Sequence, residues 1–141
     1  MRVTRVLSLL SVLSATFLVA NAQTFNQVKV HLPYTVVIGS KQLAPGDYEI
    51  LPVTVSSGKL LGIYSDDRRA YEALLPTAPA TEAEPAESTK LILHDDGHGE
   101  YTLDQMWIQG NDQGYEILSP KSGAARERQA SSVEIKAESS R

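Results

Sequence analysis

Seven consecutive residues hold the densest set of groups able to do chemistry in this chain: His94-Asp95-Asp96-Gly97-His98-Gly99-Glu100. Two imidazoles four apart, with carboxylates between them, are ligand types for a divalent metal such as zinc. A turn that folds His94 and His98 toward each other with Asp96 would bring three donors together. On that reading the protein is a metal-dependent hydrolase using His94, Asp96 and His98. The competing reading is a polar β-turn, because Asp, Gly and His are ordinary hairpin residues and the spacing matches no site of defined geometry. His31 reads as a solvent-facing strand residue rather than a third imidazole ligand.

Other chemistry is thinly represented. The pairs Asp66-Asp67 and Asp95-Asp96 are adjacent on turns, whereas glycoside hydrolysis needs two carboxyls facing each other across a cleft. They read as turn formers. The chain has no Gly-x-Ser-x-Gly elbow, phosphate-binding glycine loop or His-Glu-x-x-His helix. It has no cysteine, so thiolate, redox and disulfide chemistry are all excluded. No cofactor is implied. Six tyrosines (Tyr34, Tyr48, Tyr64, Tyr71, Tyr101 and Tyr115) and Trp107 lie almost entirely in predicted strands. Facing outward on one sheet they would form a stacking surface for sugar rings or an extended polymer; facing inward they fill a core.

The elements that must carry these residues are strands. Val28, Val30 and Leu32 alternate with Lys29 and His31, and the β-branched run from Tyr34 to Ile38 follows Pro33. Further strands are expected over Asp47 to Val53, Leu60 to Tyr64, Ala70 to Leu75, Lys90 to His94, Glu100 to Leu103 and Tyr115 to Leu118. Gly or Pro interrupts the chain every 8 to 12 residues or so. Ser57-Gly58, Asp66 to Arg69 and Gly110 to Gly114 are the turn signals. Pro76 to Thr89 has three prolines, three glutamates and no large apolar side chain, which predicts a mobile loop. After Pro120 the only sizeable apolar groups are Val133 and Ile135, so residues 119–141 read as a polar tail with a short helix over 124–130 or with no fixed structure. The sum is an all-β domain, an antiparallel β-sandwich or a small closed β-barrel of about eight strands.

Location is the most legible property. Arg2 and Arg5 precede an apolar run of 14 residues, Val6 to Val19, and Ala20-Asn21-Ala22 offers the small residues that a signal peptidase requires. The expected cut lies between Ala22 and Gln23. The run is shorter than the ~20 residues that span a bilayer, and four hydroxyl residues interrupt it. The processed chain is therefore expected to be secreted or periplasmic, with no transmembrane segment. It keeps eleven basic against seventeen acidic side chains, a formal charge of −6, which argues against a nucleic-acid partner.

Two stretches also carry a likeness. Leu32-Pro33-Tyr34-Thr35-Val36-Val37-Ile38-Gly39 and Leu43-Ala44-Pro45-Gly46-Asp47-Tyr48-Glu49-Ile50 resemble the opening of a group of small secreted β-rich proteins of soil bacteria, whose turn usually reads Leu-Pro-Ala-Gly-x-Tyr. Further matches follow in order through Leu60 to Asp67, Lys90 to His94, Tyr101 to Leu103 with Met106 to Ile108, and Gly114 to Ile117. The resemblance covers most of residues 28–118, implies a secreted β-rich domain and brings no catalytic residues with it; the β domain itself is read as residues 23–118. Together these readings predict an exported, non-enzymatic domain that binds a protein, polysaccharide or other envelope partner. A third alternative is a barrel enclosing a small apolar ligand.

Overall fold

A computed structural model describes residues 27–55, 58–67, 71–118 and 132–140. The expected signal with its Ala22/Gln23 cut, the turn residue Ser57, Arg68 and Arg69, and the helix expected over 124–130 lie outside the described residues. Ten strands are present, and the described residues contain no helix. They are β1 (Gln27–Leu32), β2 (Val36–Ile38), β3 (Lys41–Leu43), β4 (Gly46–Val55), β5 (Gly58–Ser65), β6 (Tyr71–Thr81), β7 (Lys90–Asp95), β8 (Tyr101–Trp107), β9 (Gln113–Ile117) and β10 (Ser132–Ser140).

Eight strands close into an antiparallel barrel in the order β1, β4, β5, β6, β9, β8, β7, β10 and back to β1. Of the two architectures expected, the barrel is the one found. Alternation drives it: Val28, Val30 and Leu32 of β1 point inward with Ile50, Leu61, Ile63, Leu75, Leu91, Leu93 and Ile117 of its neighbours. Each such side chain withdrawn from water contributes about 1.5–3 kcal/mol, enough in sum to dispense with disulfides. The inside is apolar and the outside carries the charge, the reverse of a transmembrane barrel with its polar lumen. The remaining hairpin, β2 and β3, joins β8 in parallel through Val36↔Tyr101 and reaches toward β6, where Lys41 contacts the backbone carbonyl and the carboxylate of Glu72. Val36, Ile38 and Leu43 turn inward from it and stop that end of the barrel.

Two regions depart from the sequence reading. The stretch expected to be a mobile loop is half strand: β6 runs on to Thr81 and pairs with β9 from Thr77↔Ile117 to Thr81↔Gln113. Pro79 is tolerated within it for a geometric reason. Leu118 N–H donates to Pro76 O (2.9 Å), so the pairs alternate such that Pro79, opposite Tyr115, needs no N–H on the β9 side. On its other side β5 has already ended its pairing at Leu60↔Pro76. Residues 82–89 then cap the opposite end through Ala86 N–H to Asn111 O and Gly110 N–H to Ala86 O (both 2.9 Å), with Ala86 and Thr89 buried.

The second correction concerns the expected polar tail. Residues 132–140 form β10, which lies between β1 and β7 and completes the ring. Val133, Ile135 and Ala137 alternate with Glu134, Lys136 and Glu138, and the three apolar groups face the core. A strand paired on both sides needs few large side chains, because its backbone hydrogen bonds are supplied by its neighbours.

The outer surface is uneven. On β4, β5 and β6 the outward positions include Leu51, Val53, Leu60, Leu74 and Pro76, aligned as Val53↔Leu60↔Pro76 and Leu51↔Gly62↔Leu74. Leu118 follows β9 beside Pro76. Leu74 and Leu118 are 47% and 48% exposed.

Candidate functional site

The His94–Glu100 segment is the turn between β7 and β8, and its carboxylates are engaged by its own backbone. Asp95 Oδ1 accepts from Gly97 N–H (2.8 Å), and Asp96 Oδ1 accepts from His98 N–H (2.8 Å) and Glu100 N–H (3.1 Å). Gly97 and Gly99 adopt φ of 79° and 83°, the left-handed conformation that wraps the backbone around a short acidic side chain. The hydrogen bond from His98 is the main reason the Asp96 carboxyl titrates below its ordinary range. His94 sits on the outward face of β7, while His98 is exposed at the tip. Among the described residues, no group of three or more His, Asp or Glu side chains is placed to hold a metal ion. Asp67 is likewise a turn residue, accepting from Ser65 Oγ at 2.7 Å.

The aromatic residues are used for packing. Tyr34, Tyr48, Tyr101 and Tyr115 lie partly buried against the core, and Tyr34 stacks on Tyr101 with ring centroids 4.2 Å apart. Trp107 is buried on the outer side of β8, its indole N–H donating to Gln105 Oε1 (3.1 Å). The indole covers Gly114, where an added Cβ would stand 2.6 Å from the ring. Of the aromatic side chains whose burial is described, Tyr34, Tyr48, Tyr64, Tyr101 and Tyr115 are half-buried and Trp107 is buried. The cavity described in the barrel interior is too small for a ligand. It has about 10 Å³, is lined by Val30, Leu32, Ile50, Leu93 and other apolar groups, and is no larger than one water requires.

A groove does exist where the barrel wall parts. Pairing between β1 and β10 stops at Val30↔Ala137. β1 continues along β4 to Leu32↔Gly46, and β10 continues along β7 to Ser132↔His94. The two strands thus follow different partners, and a depression of about 380 Å³ lies at their divergence. Val30, Ala137 and Tyr48 line it together with six polar groups: Lys29, His31, Asp47, Asp66, Lys136 and Glu138. His31 and Asp47 are register partners on β1 and β4, joined by an Nδ1···Oδ1 hydrogen bond of 2.7 Å. Asp66 N–H donates to Asp47 O (3.2 Å), which holds Asp66 at the groove. Tyr48 is fixed by its hydroxyl, which donates to Ala44 O at 2.7 Å. Burial, and secondarily the Glu72 carboxylate, push its phenol up from 10.0. Lys29 also lies 3.5 Å from the buried Glu49 carboxylate.

Sequence reasoning placed Lys29 and His31 on an outward strand face and attached no site to them. The groove draws on β1, β4, β10 and the β5–β6 turn, so no local spacing could reveal it. The chain matches no family model, and no curated protein or solved structure matches it.

Proposed function

We propose that this protein is an exported, non-enzymatic β-barrel domain of the bacterial envelope that binds a neutral saccharide in the groove between β1 and β10. The groove itself carries the reading: an apolar floor with one fixed tyrosine, ringed by donors and acceptors in near balance. A pyranose has an apolar C–H face and a rim of hydroxyls that both donate and accept. The half-buried Tyr48 and Ala137 suit the face. Lys29 and Lys136 can donate to the rim, while Asp47, Asp66 and Glu138 can accept from it. The mixed charge favours neither a simple anion nor a simple cation. The volume falls within the ~300–1,000 Å³ of small-molecule sites.

His31 and Asp47 form an orienting pair of the kind that activates a nucleophile, but among the described residues the groove lining contains no serine, threonine or cysteine. A binding role follows more directly than hydrolysis. Export rests on the signal-like residues 1–22, and intact-mass analysis of the secreted chain is expected to begin at Gln23; a product beginning at Met1 overturns that part. Binding is tested by titrating the processed chain with neutral mono- and oligosaccharides while following amide shifts by NMR. Shifts are expected at Lys29, His31, Asp47, Tyr48 and Lys136 to Glu138. Saturable shifts confined to another surface, or none with any sugar, reject the groove.

A further inference from the structure

We propose that Glu49 is a positioning residue that holds the Lys29 ammonium at the groove and sets the groove's preference for neutral over acidic sugars; this rests on the groove holding a saccharide. Glu49 does not itself line the depression. Among the described residues it is the one charged side chain that is buried, at 4% exposure. It nevertheless alternates with Tyr48 and Ile50, whose side chains pack on the core, and so stands on the outward side of the wall. Taking a carboxylate out of water is costly, and a buried ion pair often stabilises no more than packed apolar groups would. A buried charge with a defined partner beside a cleft fits a functional role better than a stabilising one.

The register points to that role. Lys29 of β1 has Glu49 of β4 as its partner on one side and Glu138 of β10 on the other. Its Nζ lies 3.5 Å from Glu49 Oε1, while its side chain remains half exposed and lines the groove. An ammonium donates in several directions, so one directed at Glu49 leaves others for a ligand oxygen. A lysine held in place beforehand also loses less freedom when a ligand binds. The second effect is on charge. Glu49 offsets Lys29, so an acidic sugar gains little from that ammonium and meets the carboxylates of Asp47, Asp66 and Glu138. A neutral hydroxyl still accepts a charge-assisted hydrogen bond. Lys136, the other ammonium of the groove, stands opposite a second cation, Lys90, and is the natural comparison.

The test uses the processed chain with methyl hexosides of the gluco, galacto and manno series and their C6 carboxylates, followed by NMR. Before sugar is added, carbon relaxation should show Lys29 Cε moving less than Lys136 Cε, and Glu49→Gln should abolish the difference. With sugar, Glu49→Gln should weaken the best neutral hexoside about threefold or more and raise the acid-to-neutral affinity ratio by about as much. Glu49→Asp keeps the charge but shortens its reach. It should loosen Lys29 and leave the ratio near the wild-type value, and its effect on Lys29 decides the matter where Glu49→Gln does not fold. Unchanged Lys29 motion, or an unchanged ratio in Glu49→Gln while neutral hexosides still bind the wild-type groove, overturns this inference alone. A wild-type chain whose groove binds none of these sugars overturns it together with the saccharide reading.

Discussion

The β7–β8 turn and the β1–β10 groove hold similar chemical groups and use them in opposite ways. In the turn, carboxylates and imidazoles are sequence neighbours, and the backbone N–H groups of His98 and Glu100 occupy Asp96 before any ligand could. In the groove, Lys29, His31, Asp47 and Glu138 come from three strands, and their side chains line a shared depression. A dense local motif satisfies itself, whereas a site is assembled where the topology leaves groups facing one another.

The sharpest way to break that contrast is to remove residues 132–140. The groove and the barrel should be lost together, because β10 supplies Ile135 and pairs with both β1 and β7. Circular dichroism during heating should show no cooperative transition, and a cooperative melt would mean that β10 is an accessory. Tyr48→Ala is next in size. It should reduce affinity for the best-binding sugar by about tenfold or more and cost about 1–3 kcal/mol in denaturant unfolding. In contrast, His94→Ala with His98→Ala should change neither sugar affinity nor the metal content of the purified protein. Stoichiometric zinc lost with those histidines would restore the turn as a site.

Two pH effects sharpen the comparison further. The phenols of Tyr48 and Tyr115 are raised from 10.0, by burial in both cases and additionally by Glu72 for Tyr48. A group with a raised folded value contributes its stability fully below pH 10 and loses it as pH rises through that higher value. Spectroscopic titration should therefore find these two phenols ionising above pH 10, and Tyr115→Phe should remove one late component. Asp96 shifts the other way, below 3.8. Its contribution is present above that value and fades as the pH falls through its folded value. Asp96→Asn should flatten only this acid limb of the stability curve, the smallest effect predicted, and leave sugar binding intact.

What the sequence disclosed follows the same division. Strands with strict alternation were legible: β1 from Val28, Val30 and Leu32, and the β4–β5 pairing around Gly58. The β8–β9 pairing was equally plain from the glycines at 110 and 114. β10 was not, since Val133 and Ile135 alone give a weak period, and its stability comes from two partners more than 35 residues away. The extension of β6 was hidden by Pro76 and Pro79, and the acceptability of Pro79 depends on which side of the strand it faces. The groove was illegible for a stronger reason: its lining spans Lys29 to Glu138, and only the parting of two strands brings those groups together.

The position of β10 also governs how the molecule can come together. Gln27 lies opposite Ser140, so closing the ring joins segments more than 100 residues apart, a step of high contact order that should be slow. Until it happens, β1 and β7 are bare edges with backbone groups free to pair. The gap between them is shaped for one specific segment, and that segment from another molecule fits equally well. Refolding at high concentration should therefore yield strand-exchanged oligomers, and dilution during refolding should yield single closed barrels.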